Sequence, residues 1–166
     1  MSKTIHTSSM RPVGNLNEEH ILGNVASLNG ILADEYALFT KTLNYHWNVT
    51  GPRFHSIHKF LEGHYRSLLE VMDGVAERVR ILGETPLSTM KSMNEVNQLN
   101  EKNGGQMSAS EMIDDLYHGH LKLQTEIRNV LEADAPMSTD PGTEDFLISL
   151  LQKHEEMSWM LKSHLD

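Results

Sequence analysis

Not one cysteine occurs in the 166 residues. That excludes disulfides, thiolate zinc sites and cysteine-held iron–sulfur clusters. Long apolar runs are also missing: nothing approaches the roughly 20 residues needed to span a bilayer. The first stretch, "MSKTIHTSSMRPVGNLNEEH", has no apolar centre of the kind a secretory signal needs. A cytoplasmic protein with no membrane partner is the expectation. Basic residues are outnumbered, 14 Lys and Arg against 23 Asp and Glu, for a net charge of −9. Only Lys3 and Arg11 are basic among the first 40 residues, against Glu18, Glu19, Asp34 and Glu35. Such a surface repels phosphate backbones and attracts cations, which favours metal handling over nucleic-acid binding.

What is present is mainly helix-forming. Hydrophobic residues make up 39% and charged ones 22%, and the length suits one domain with a real core. Ile21, Val25, Leu28, Leu32, Leu38 and Leu43 recur at helical spacing, predicting a first helix over residues 17–49. "TGPR" breaks it, because Gly51 and Pro52 cannot continue a regular helix. A second helix is predicted over 54–82, stopped by Gly83. The polar linker "ETPLSTMKSMNEVNQLNEKNGGQ" follows, with a short helix at 90–98. "SASE" opens a third long helix with a capping signature near Ser108, and a fourth runs from about 143 to 165. Two helical hairpins joined by one long crossover predict an all-α four-helix bundle of ferritin-like connectivity over residues 16–166. Residues 1–15 read as a flexible tail.

The stretch "HWNVTGPRFHSIHKFLEG" (46–63) gathers three histidines and a glutamate at the mouth of the first hairpin. On the second helix, Ile57, Leu61, Tyr65, Leu68, Met72, Val75, Val79 and Leu82 form the expected core stripe. Beside it His58, Glu62, Asp73 and Glu77 fall within an arc of about 100°. His58 and Glu62 are i,i+4 neighbours, so both can reach one ion. Asp73 and Glu77 share that spacing but carry like charge, which destabilises a bare helix unless a cation lies between them. Nitrogen mixed with carboxylate suits iron(II), zinc or manganese better than calcium or magnesium. His46 lies as far before Pro52 as His58 lies after it, so an antiparallel hairpin puts both at one height. Asp73, however, is about 16 Å along the helix from Glu62. One chain cannot close that gap, but a second copy packed antiparallel about a two-fold axis near Ser67–Leu68 closes it twice. The competing reading is a solvated salt-bridge ladder, since Arg66 and Arg80 lie on the same face.

At these residues the chain resembles the Dps family of miniferritins, on His46-Trp47, "FHSIHKFLEG" and "MDGVAERVRILGETP", and on the helical plan from about residue 15 onward. The resemblance implies ferroxidase ligands at His46, His58 and Glu62 from one subunit and at Asp73 and Glu77 from its two-fold partner. Glu62 stands where many members carry Asp. It also implies a hollow dodecamer that oxidises Fe(II), with hydrogen peroxide preferred over oxygen, stores ferric mineral and limits oxidative damage. Larger ferritins fit worse, since they use Glu-x-x-His pairs and this chain has none. Trp47 is similar to a family tryptophan near the iron site, with hairpin packing as the alternative, and Trp159 is expected to pack. Asp140, Glu144 and Asp145 in "TDPGTED" either cap the last helix or line the acidic iron-entry pore that the resemblance implies. His118, His120, His154 and His164 are expected to be structural or surface groups, and His55 and His64 to lie beside the cluster or at the surface. A DNA-compacting role, using Lys3 and Arg11, is the alternative function, with weak or absent DNA binding expected.

Overall fold

The computed structural model describes residues 14, 16–133 and 140–165. The tail expected over residues 1–15 lies outside these apart from Gly14 and carries no structural account. Five helices follow in order: α1 (Glu18–Asn48), α2 (Phe54–Ile81), α3 (Met90–Val96), α4 (Ala109–Glu132) and α5 (Pro141–Lys162), with a 3₁₀ turn at Gly104–Gln106. No strand occurs among the described residues. Helix α1 packs along α2 and α4 along α5, and the two hairpins join chiefly through α1 against α4. The crossover from α2 to α4 carries α3, which lies on α1. None of these helices is long and apolar enough to cross a membrane.

The ends of the helices follow from their residues. Asn17 accepts the Glu19 amide and starts α1. Ser108 and Glu111 close a reciprocal capping box at α4, Ser108 N–H donating to Glu111 Oε2 at 2.7 Å. Gly83 ends α2 at φ +91°, where the Glu84 amide reaches back to the Val79 carbonyl and the Gly83 amide to that of Arg80. That double bond satisfies carbonyls the helix would leave open, and the left-handed turn it needs suits glycine.

The core is a continuous apolar cluster. Leu28, Ile31, Leu32 and Leu38 enter from α1, Ile57, Leu61 and Leu68 from α2, Leu116, Leu123 and Ile127 from α4, and Leu147 and Leu161 from α5. Two positions depart from the expected stripe. Tyr65 and Met72 are only half-buried, and His64 takes the inward place between Leu61 and Leu68 at 5% exposure. An imidazole can occupy a core position only if its polar atoms are matched there, and His120 supplies the match from α4.

Candidate metal centre

His46 sits in the last turn of α1 and His58 in the second turn of α2, facing each other across the hairpin. Their rings stack with centroids 3.8 Å apart and planes 22° from parallel. His46 Nδ1 lies 3.0 Å from the His58 carbonyl oxygen, and His58 Nδ1 lies 2.9 Å from that of His46. Carbonyl oxygens only accept, so both Nδ1 atoms must carry the hydrogen. In the neutral rings this fixes one tautomer and leaves both Nε2 lone pairs free, the arrangement a histidine needs to ligate a metal. Tyr65 closes over His46 edge-on at 5.2 Å, and Phe54 lies 5.0 Å from His58. The packing explains why His46 is only 9% exposed.

Glu62 follows one turn after His58, but its oxygens are already engaged. Lys59 Nζ lies 2.8 Å from Oε2 and Arg66 Nη2 lies 2.5 Å from Oε1. The hydrogen bond from Lys59 first, and then the charges of Lys59 and Arg66, hold the Glu62 carboxyl below the usual range. Asp73 and Glu77 lie further along α2, exposed. So the structure brings His46 and His58 together, while Glu62 is turned to its cations and Asp73 and Glu77 stand apart. Among the described residues of one chain, no three His, Asp or Glu side chains gather closely enough to hold an ion.

Residues 25–166 match the family described as a ferritin-like domain. The chain is 32% identical over 139 residues to DNA protection during starvation protein 2 of Bacillus anthracis, covering 84% of this chain and 94% of that one. It is 40% identical over 151 residues to an uncharacterized low temperature-induced protein of Nostoc sp., covering 91% and 84%. Among solved structures, DpsC from Streptomyces coelicolor superposes at a TM-score of 0.90 with 26% identity, covering 100% of this chain and 96% of that one. The Dps protein from Vibrio cholerae O1, a member of a broad superfamily of ferritin-like diiron-carboxylate proteins, gives 0.87 with 25% identity, covering 95% and 99%. The chain is a Dps-family miniferritin.

The remaining sequence candidates of this Dps chain separate clearly. Trp47 is 69% exposed, so it does not pack the hairpin. Trp159, expected to pack, is 68% exposed on α5. Asp140 is buried and committed: it caps α5 through the Thr143 amide and receives Arg78 Nη2 at 3.2 Å. Burial pushes its carboxyl up, but the bonds from Thr143 and Arg78 win and hold it below the usual range. Glu144 and Asp145 are exposed at the start of α5.

Sequence reasoning missed a buried polar row that touches all four long helices. Glu35 Oε1 of α1 meets His154 Nε2 of α5 at 2.5 Å, His154 Nδ1 meets His120 Nδ1 of α4 at 2.8 Å, and His120 Nε2 meets His64 Nε2 of α2 at 2.7 Å. Each contact holds one hydrogen, so with neutral rings and an ionised Glu35 every N–H points toward the carboxylate. Burial pushes the His64 imidazole down to about 4 and that of His120 well below its ordinary value. Both nitrogens of His120 and of His154 are used in this line, so neither imidazole keeps a lone pair to offer an ion. Nearby, Asp34 Oδ1 accepts the Gln98 amide. Burial, then Asp34, pushes the Glu126 carboxyl up. The only signal in the sequence was that His120 and His154 fall at core spacing from Leu116 and Leu150.

Proposed function

We propose that this chain binds Fe(II) at sites shared between two subunits, oxidises it, and stores the ferric product in a hollow dodecamer, so limiting oxidative damage. The observation that carries this reading is the reciprocal His46–His58 lock, which presents two free Nε2 atoms beside Glu62. The missing oxygen ligands are Asp73 and Glu77 of a partner packed antiparallel on α2. An apolar groove of about 570 Å³ lined by Leu32, Tyr36, Leu69, Met72 and Ala76 runs beside Asp73 and supports a contact face there. In the shared site the imidazoles orient the ion, the carboxylates supply hard oxygen ligands suited to the ferric product, and exposed Trp47 stands beside the site to take a stray oxidising equivalent. Peroxide is the preferred oxidant: it takes two electrons, so oxidising iron in pairs yields water rather than a hydroxyl radical. Glu144 and Asp145 are assigned to steering iron toward the entry pore.

The test is anaerobic Fe(II) loading followed by oxygen or peroxide in separate runs. The expected result is ferric mineral retained with the protein, faster with peroxide, consuming one peroxide per pair of irons. Protein that neither oxidises nor retains iron removes the proposal.

Three relatives are named for DNA protection, which favours a second reading, direct compaction of DNA. Charge argues against it, since −9 is repeated on every subunit and phosphate contacts need cations. Lys3 and Arg11, the basic residues of the tail, lie outside the described residues. Duplex DNA should show weak or no retardation in a gel shift at physiological salt and neutral pH. A sub-micromolar, salt-sensitive shift would reverse this.

A further inference from the structure

Glu62 is the one proposed ligand that is not available. Both of its oxygens are held, one by Lys59 from the turn before and one by Arg66 from the turn after. Asp73 and Glu77 make no ion pair with any described residue in the same chain. The cations and the bare acids are complementary across the proposed axis. In the register that sets residue 62 opposite residue 73, residue 59 falls opposite 76 and residue 66 opposite 69. Lys59 therefore stands within one helical turn of the partner's Glu77, and Arg66 about one turn from the partner's Asp73. Without metal, that interface brings together three carboxylates, and like charges so placed repel. The two cations nearly balance them.

We propose that Lys59 and Arg66 are the counter-cations of the metal-free site, holding Glu62 where an ion would and giving it up when one binds. This rests on the shared-site reading above. They are positioning residues, acting through Glu62 and not on the reacting ion. Both side chains are more than half exposed, at 61% and 66%, so their removal leaves the core untouched. Their hold is correspondingly modest, because exposed ion pairs are weak and screened by salt. An entering divalent ion can displace them.

Anaerobic titration with cobalt(II), followed by its visible absorption, tests this without turnover. The Lys59→Gln/Arg66→Gln double variant should bind cobalt about three- to tenfold more tightly than wild type. The Lys91→Gln/Arg128→Gln variant, with the same change in net charge elsewhere, should differ by less than twofold. Swapping the cations, Lys59→Arg with Arg66→Lys, should restore wild-type affinity. The advantage of the Gln variant should shrink as salt rises. In chelator, the Gln variant should dissociate at higher protein concentration than wild type. Unchanged or weaker cobalt binding by the Gln variant, or an equal gain in the distant control, overturns the counter-cation role and leaves the site itself standing. No histidine-like cobalt spectrum in wild type or any variant sinks the shared site, and this inference with it.

Discussion

His58→Ala and Asp73→Asn should each slow iron oxidation by about a hundredfold or more, since even outer partners of a metal site cost 10–100-fold when removed. The two residues lie roughly 22 Å apart along α2, too far for one ion to span. The decisive step is to mix them. If the subunits are unfolded and reassembled together, each heterodimer carries both lesions in one site and none in the other. Random pairing then restores about a quarter of the sites. A site built within one chain would be damaged in every subunit, and mixing would rescue nothing. Mixed assemblies verified by mass spectrometry that show no more activity than either parent would falsify the two-chain site.

The second large effect belongs to the buried row. His120 is fully buried and held neutral by its surroundings, first by burial and then by His64, His154 and Lys41. The other groups on the row are Glu35 from α1 and, beyond His64, Lys153 on α5. A histidine whose folded value is depressed binds more protons unfolded than folded below about 6.5. Its stabilising contribution is therefore complete above that pH and is lost as pH falls below it. His64, at about 4, extends the decline toward that value. Thermal melts should show a steep fall in Tm between pH 6.5 and 4. His120→Leu should cost roughly 2–6 kcal/mol at pH 8, because it strands the facing nitrogens of His64 and His154. Below pH 6 its Tm should fall less steeply than that of wild type. Parallel pH profiles for the two proteins would contradict the neutral-row account.

The sequence made the four long helices and the crossover legible because apolar spacing and chain breakers are local signals. α1 and α2 begin and end, and α4 begins, within a residue or two of expectation, and α5 starts two residues earlier, at Pro141, whose fixed φ suits a first helical position. The pairing of His46 with His58 was legible from the turn between them, since both stand six residues from Pro52 in one hairpin. The buried row was not legible. A histidine on an apolar stripe looks the same whether it faces solvent at a helix end or three partners from other helices, and those partners are up to 119 residues away. His64 shows the difficulty: Tyr65, beside it, fits the stripe by hydropathy, yet the imidazole is chosen because His120 waits opposite. The engagement of Glu62 was half legible, as Arg66 on the same face, but spacing does not reveal that Lys59 would take the second oxygen. Exposure of Trp47 and Trp159 depends on what lies across from them, which composition does not report.

The reciprocal bonds between His46 and His58 give the hairpin a clasp independent of its loop. Each helix end is fastened by a side chain from the other, so the peptide between Val49 and Arg53 is not what holds the ligands in register. At Gly51, exposed and with open space where a side chain would stand, the chain could be lengthened or cut while the imidazoles stayed paired. The mouth of this hairpin is thus a place where the backbone is expendable and the chemistry is not.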